Sequence, residues 1–381
     1  MSSFYEFFAG GGMARMGLGS DWSCLFANDN DPKKAASYTR NWGDAEFQLA
    51  DVADLSTEHL PGAADLAWAS FPCQDLSLAG YGAGLGGERS GAFWPFWHLM
   101  KSLRAENRAP SIIVLENVSG ALTSHGGEDF VTIGAAIVET GYRFGALVID
   151  AVHFVPQSRP RLFIIAVKEE RPIPESLLSA IPDALWLTSA LKEAHGRLPG
   201  WMRDNWLWWR LPSPPRRRTV FADLIEESPK GVKWRSSEET QKLLEMMSPV
   251  NLAKVEAAKR FGHRMVGTIY KRTRPDGYGG RTQRAEIRFD GVAGCLRTPL
   301  GGSSRQTIMI VEGDQVRSRL LSPREAARLM GLPEDYTLPD NYNEAYHLAG
   351  DGLVVPVIRH IADNILEPVL AASEATETKV A

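Results

Sequence analysis

From residue 3 to residue 167, short apolar runs alternate with longer stretches in which apolar positions recur at helical spacing. The runs at 4–8, 24–28, 47–49, 66–70, 112–115, 147–152 and 162–167 read as strands, and 32–41, 93–106 and 130–140 as helices. Such alternation predicts successive βα units and a mainly parallel sheet. The stretch 76–91, with Gly80, Gly82, Gly84, Gly86, Gly87 and Gly91, is too glycine-rich for an element and is expected to form a mobile loop. After Lys168 the pattern changes. Pro172, Pro174 and Pro182 interrupt regularity, Trp201, Trp206, Trp208 and Trp209 cluster, and Pro212-Ser213-Pro214-Pro215-Arg216-Arg217-Arg218 follows. A boundary is therefore expected near residue 185, then a helix at 237–247 and shorter, β-like elements. Helical character returns at Ser322-Pro323-Arg324-Glu325, where Ser322 reads as N-cap, Pro323 as first helical residue and Glu325 as the reciprocal cap. A last helix is expected at 356–370, with Val357, Ile361 and Ile365 on its buried face, and a frayed tail at 372–381. The expected organisation is a first domain at 1–185, a second at 186–322, and a return to the first at 323–381.

With 381 residues, 44% apolar and 23% charged, the chain has the composition of a globular protein large enough for two domains. No stretch approaches the roughly 18 apolar residues of a membrane span, and no basic segment precedes an apolar core at the N-terminus, so a cytoplasmic location away from membranes is expected. The three cysteines, Cys24, Cys73 and Cys295, are scattered without metal-ligand spacing. Neither a disulfide framework nor a metal site is expected, and any working cysteine would be a reduced thiol. A net charge of −4 conceals a local field. Between Arg260 and Arg328 there are 14 Lys/Arg against 6 Asp/Glu, a surplus of 8, which is either a solvated basic face or a seat for a polyanion.

Candidate chemistry gathers where a parallel sheet presents it, at the carboxyl ends of the predicted strands. Phe71-Pro72-Cys73-Gln74 follows one apolar run and Glu116-Asn117-Val118 another, while Gln157-Ser158-Arg159-Pro160-Arg161 precedes a third. A lone cysteine is usually a small buried apolar residue, but Cys73 sits beyond a proline and ahead of the glycine loop, where a thiolate is reachable and could add to an electron-poor carbon. Glu116, if partly buried, would stay protonated and could donate to a ring nitrogen. Arg159 and Arg161 have the spacing that puts both on one face of an extended chain. At the N-terminus, Phe4-Tyr5-Glu6-Phe7-Phe8-Ala9-Gly10-Gly11-Gly12 is a strand entering a glycine turn, without the G-x-G-x-x-G spacing of a pyrophosphate site. Asp29 and Asp51 follow the second and third strands, where carboxylates can accept from ribose hydroxyls and an adenine amino group, so an adenosine cofactor without pyrophosphate fits better than NAD.

In this order the blocks Phe8-Ala9-Gly10 with Gly12, Phe71-Pro72-Cys73-Gln74 with Ser77, Glu116-Asn117-Val118 and Gln157-x-Arg159-x-Arg161 resemble the DNA (cytosine-5) methyltransferase family. Further on, Arg324-Glu325-Ala326-Ala327-Arg328-Leu329-Met330-Gly331-Leu332-Pro333 and Gly350-Asp351-Gly352-Leu353-Val354-Val355-Pro356 resemble its ninth and tenth motifs. The resemblance implies an α/β fold with a Rossmann-like methyltransferase sheet and a smaller, irregular β-rich target-recognition domain. It implies that Cys73 attacks C6 of a cytosine while Glu116 supports N3, with S-adenosyl-L-methionine as methyl donor and Arg159 and Arg161 holding the base. Cofactor contacts would fall to Phe8, Ala9, Gly10, Gly12, Asp29, Asn30, Asp51, Val52, Pro72, Asp351 and Leu353. Contacts to double-stranded DNA would fall to Gln74, Ser77, Gln157, Arg297, Thr298, Ser303 and Arg305, the cytosine rotating out of the duplex to reach the thiol. A monomer of the kind found in restriction-modification systems is expected. Two departures stand out: Asp351 takes the place of an asparagine, and Asn30 that of an aromatic. The alternatives are a tRNA cytosine-5 methyltransferase, disfavoured by the roughly 137 residues of 186–322, and a non-catalytic DNA-binding regulator, disfavoured by the intact Cys73, Glu116, Arg159 and Arg161.

Overall fold

The computed structural model of the chain describes residues 1–72, 90–180, 183–275, 280–297 and 305–377. Cys73, Gln74, Ser77, Thr298, Ser303 and nearly all of the glycine-rich stretch lie outside the described residues. Two compact units are formed, the first from Met1–Asp150, Pro160–Pro215 and Leu353–Ala381, the second from Ala151–Arg159 and Arg216–Gly352.

The first unit is built on β1 (Ser2–Phe7), β2 (Trp22–Asp29), β3 (Phe47–Leu49), β4 (Leu66–Ala69), β5 (Ile112–Val118), β6 (Tyr142–Asp150) and β7 (Pro160–Lys168), in the order β3-β2-β1-β4-β5-β7-β6. Pairings from β3 through β5 are parallel, whereas β7 runs antiparallel to both β5 and β6. The strand order reverses between β1 and β4. At such a reversal the following loops diverge and leave a crevice at the carboxyl edge. Helices α1 (Met13–Leu18), α2 (Pro32–Trp42), α3 (Phe93–Ala105) and α4 (Glu128–Glu139) follow β1, β2, β4 and β5. On α3, Phe93, Phe96, Trp97, Met100 and Leu103 are all buried and meet Phe7, Ala67 and Ile113 of the sheet. Burying such a row, at about 1.5–3 kcal/mol for each large side chain, holds this layer in place. Gly17 of α1 leaves room for the C-terminal segment, since a Cβ there would lie 2.5 Å from that of Ile358. That segment is helical at Val355–Ile361, π-helical at Ala362–Leu366 and helical again at Glu367–Glu377. Val357, Ile361 and Ile365 are buried as expected, but the helix runs on where fraying was expected.

The structure differs from the expectations in three further ways. First, β5 extends past its apolar run, so Glu116 lies within the strand rather than after it; pairing with β7, Glu116 opposite Phe163 and Val118 opposite Arg161, carries the ladder onward. Second, residues 186–215 belong to the sheet-bearing unit. Leu207 donates to the Phe144 carbonyl at 2.7 Å, Phe144 donates to Asn205 at 3.0 Å, and this stretch covers the open edge of β6. Covering an edge strand removes its unpaired backbone groups from water, and the Pro212–Pro215 run is the composition signal that marks the true end of the unit. Third, residues 323–352 belong to the second unit. Its sheet comprises β8 (Met265–Pro275), β9 (Arg281–Arg288), β10 (Thr307–Glu312) and β11 (Gln315–Leu320), antiparallel in the order β11-β10-β8-β9. Leu243 from the helix Ser237–Glu245, Met247 just after it, and Val255 and Ala258 from the helix Pro249–Arg260 form one core with Ile269, Ala285, Ile287, Met309 and Val311. The capping box holds as read: Glu325 N–H donates to Ser322 Oγ at 3.1 Å and Ser322 N–H to Glu325 at 2.7 Å. The same carboxylate takes a bidentate pair from Arg319 at 2.6 and 2.7 Å, both side chains fully buried. Separating β11 from the helix Pro323–Leu329 would strand two charges in the interior, which is why that helix stays with this unit.

Candidate active site

The strand β1 ends in a turn that only certain residues can make. Phe8 has φ 57°, Gly10 57° and Gly12 75°, so three of five consecutive positions are left-handed. Ala9 N–H donates to the Asn28 carbonyl and Gly12 N–H to that of Ala9, both at 2.8 Å. A side chain at Gly12 would run into the indole of Trp42, 2.7 Å from Cδ1, and into Tyr38. A Cβ at Gly10 would meet nothing within 4 Å. The turn is therefore packed beneath Gly12 and open at Gly10, a cradle shaped for a ligand against main chain.

Asp29, at the end of β2, braces this turn. Its Oδ2 accepts from Gly10 N–H and its Oδ1 from Asp31 N–H, each at 2.9 Å. Each oxygen retains a further acceptor site, so the carboxylate can serve a hydroxyl-bearing ligand while holding two loops. Asn30, in the place where an aromatic was expected, donates from Nδ2 to Asp51 Oδ2 at 3.1 Å, and Asp51 Oδ1 accepts from Ala53 N–H at 2.9 Å. The loops after β2 and β3 are thus joined at the exposed pair Asn30–Asp51, with Val52 buried beneath.

At the ends of β4, β5 and β7 the second group forms. Glu116 and Val118 share a face of β5, and Arg161 stands opposite Val118, so Arg161 and Glu116 are diagonal neighbours. Arg161 Nε lies 3.3 Å from Glu116 Oε1, the two side chains 17% and 11% exposed. Asn117 Nδ2 donates to the Phe71 carbonyl at 3.3 Å, and Asn117 Oδ1 accepts from Val118 N–H at 2.9 Å. Through this amide β5 holds the chain directly ahead of the exposed Pro72.

Arg159 is held by its own set of carbonyls. It precedes β7, belongs to the second unit, and is 2% exposed. Its guanidinium donates to the carbonyls of Gly350 at 2.8 Å, Gly352 at 2.7 Å and Leu296 at 3.1 Å, tying the stretch before Arg297 to the end of the helix Tyr342–Asp351. Strand β7 begins at Pro160, so Arg159 lies just outside it. Gln157 is fully buried, accepting from Leu296 N–H at 3.1 Å and donating to the Leu329 carbonyl at 2.8 Å. Its side-chain bonds support the 295–297 stretch. Arg305 is held by Asn343 and by the ring of Tyr342, 5.6 Å away. Arg297 and Asp351 are exposed, while Leu353, in the first unit, is buried.

Sequence reasoning passed over Glu6, Trp42 and Asn117. Glu6 sits in β1 with 1% exposure, and burial pushes its pKa up to about 8, against weaker lowering by the N–H groups and charge of Arg15. Its Oε1 accepts from Arg15 N–H at 3.4 Å and its Oε2 has no partner among the described residues. A carboxyl inside an otherwise apolar strand is the signal that could have found it. Among the described residues no group of three His, Cys, Asp or Glu could hold a metal ion, and no helix is long and apolar enough to cross a membrane.

A family model described as C-5 cytosine-specific DNA methylase matches residues 2–367. The Type II methyltransferase M.Bsp6I of Bacillus sp. (strain RFL6) is 24% identical, covering 97% of this chain and 100% of that one. M.HhaI of Haemophilus parahaemolyticus, also a Type II methyltransferase, is 24% identical over 95% and 93% of the two chains. Among solved structures, the Entamoeba histolytica methyltransferase EhMeth aligns with TM-score 0.62 at 13% identity over 96% and 98%. The S. pombe Dnmt2 methyltransferase aligns with TM-score 0.57 at 16% identity over 97% and 99%. At these identities the structural likeness speaks for the fold alone.

Proposed function

The chain belongs to the C-5 cytosine-specific DNA methylase family, and on that premise we propose that it methylates a cytosine rotated out of duplex DNA, through a covalent bond between Cys73 and C6, with S-adenosyl-L-methionine as donor. The observation that carries this reading is Arg161 at 3.3 Å from Glu116 on the carboxyl edge of the sheet. It sits beside an asparagine that holds the chain leading into Pro72 and Cys73. In the proposed reaction the Cys73 thiolate forms the S–C6 bond while Glu116 donates a proton to N3, so the electron pair displaced from C6 makes C5 nucleophilic. C5 then takes the methyl group as its bond to the donor sulfur breaks. Loss of the C5 proton and cleavage of S–C6 return the thiolate and leave 5-methylcytosine. Arg161 would orient Glu116, and Glu116 would take the proton back from N3 on elimination.

The residues at the amino end fit an adenosine-bearing cofactor. The open cradle at Gly10, the carboxylates Asp29 and Asp51, and the lack of a pyrophosphate-type glycine spacing match a compact nucleoside with hydroxyl and amino donors. When bound, such a cofactor supplies an electrophilic methyl group; holding it is the work of the turn and the two acidic loops. Cys73→Ala is expected to abolish methyl transfer and leave DNA binding largely intact. Duplex DNA carrying 5-fluorocytosine at the target is expected to form a stable adduct with the wild type in the presence of S-adenosyl-L-methionine, since fluorine cannot depart as a proton does. Normal turnover by Cys73→Ala, or no adduct from the wild type under turnover, would refute attack at C6.

A further inference from the structure

We propose that Trp42 is a positioning residue for the cofactor, a latch that sets the Gly10–Gly12 turn from behind. The inference rests on the reading that this turn receives S-adenosyl-L-methionine. Trp42 is the last residue of α2, and its indole Nε1–H donates to the Gly11 carbonyl at 3.2 Å. The same ring occupies the space that a side chain at Gly12 would need. The opposite side of the turn is held by Asp29 through Gly10 N–H, and Asp29 also binds the N–H of Asp31, the N-cap of α2. The two peptide groups that flank the Gly10–Gly11 peptide are thus gripped from the start and from the end of one helix.

The indole is itself braced. The Arg15 guanidinium lies over its face at 4.9 Å, and Arg15 donates to the Tyr38 hydroxyl at 3.1 Å and to Glu46 at 3.3 Å. Tyr38 is fully buried against Phe47, ring centroids 4.7 Å apart. A tryptophan that only filled space would need no donor at the turn. This one fixes a carbonyl in the middle of three residues, two of which are left-handed. A Cβ at Gly10 would meet nothing within 4 Å, so the turn is open there. Fixing the peptide planes in advance lowers the ordering cost when the ligand arrives.

The test is calorimetric titration of S-adenosyl-L-methionine into the full-length wild type and into Trp42→Phe, which keeps a ring and drops the N–H. Loss of one neutral hydrogen bond predicts a Kd raised roughly fivefold, with KM for the cofactor following it and kcat at saturation unchanged. Trp42→His, which restores an N–H on a smaller ring, is expected to recover part of the loss. If Trp42→Phe binds within twofold of the wild type, the latch is wrong. Should Trp42→Phe fail to fold, Trp42→His decides by itself: wild-type affinity supports the donor role, and a loss as large as that of Trp42→Leu refutes it. Absence of binding by the wild type would instead overturn the cofactor reading on which the latch depends.

Discussion

At the scale of single residues, the least conventional group is Glu6. A carboxyl in the interior of a parallel strand loses its hydration, and the two N–H groups and one guanidinium that face it do not restore what water supplied. Its pKa in the folded chain, about 8, lies above the ordinary value of 4.5, so the folded state keeps a proton that the unfolded chain has released between those values. Stability is then greatest below pH 4.5, falls as pH rises, and levels off once the folded carboxyl has ionised above about 8. Glu6→Gln retains the acceptor for Arg15 N–H and cannot ionise. Urea unfolding measured from pH 5 to 9 is expected to give a variant whose stability changes little over this range, while the wild type weakens. A wild-type curve as flat as that of the variant would refute the protonated state. At the same scale the pair Arg161–Glu116 joins two neighbouring strands, and the amide of Asn117 reaches past its own strand to the Phe71 carbonyl.

At the scale of elements, the hairpin β8–β9 invites a charge argument. Strand β10 pairs with β8 only along Met265–Ile269, and Ala285 bonds to the Met246 carbonyl, so from Arg272 onward the two strands form a ribbon with no third strand beside it among the described residues. Side chains 271–275 are all exposed. Arg272 stands directly opposite Arg284, an arrangement that costs stability in an isolated hairpin. Glu286 pairs with Arg272 at 3.5 Å and with Arg274 at 2.5 Å, leaving Lys271, Arg281 and Arg284 without an ion-pair partner among the described residues. A polyanion would relieve this repulsion, and a two-stranded ribbon fits the major groove of B-DNA. On the proposed reading Arg284→Ala should weaken binding of target and non-target duplexes alike and reduce the slope of log affinity against log salt by about 1. Fluorescence anisotropy at several salt concentrations measures both. An unchanged slope would remove Arg284 from the DNA interface.

At the scale of the whole molecule, the proposed reading divides labour between the two units. The glycine turn, Asp29, Asp51, Glu116 and Arg161 lie in the sheet-bearing unit, whereas the basic ribbon and Arg297 lie in the other. Asp51→Ala is therefore expected to weaken S-adenosyl-L-methionine binding and leave the methylated sequence unchanged. Arg297→Ala should loosen site choice and leave cofactor affinity at its wild-type value. Calorimetry for the cofactor and sequencing of methylated cytosines in DNA from an expressing host separate the two effects. Loss of cofactor binding by a folded Arg297→Ala, or a changed recognition sequence in Asp51→Ala, would show that the labour is divided otherwise.

Much of the fold was legible because its signals are local. Apolar runs of four to six residues marked the strands, Ser322 and Glu325 marked a helix start, and glycines with small neighbours marked the turn after β1. The acidic residues after β2 and β3, and the glutamate near the end of β5, could be picked out for the same reason: a polar group just past an apolar run is visible in one dimension. What the tertiary structure alone decided depends on contacts between distant segments. Pairing with β7 extended β5 through Glu116. The open edge of β6 drew Asn205–Leu207 onto the sheet and moved the boundary from 185 to 215. The buried pair Arg319–Glu325 kept a helix with the smaller unit, where its capping signal said nothing of location. The side chains of Arg159 and Gln157 bond to carbonyls and an amide more than 130 positions away. Periodicity reports which side of an element is buried; it carries no information on which remote backbone group will need a donor, and that need placed these side chains.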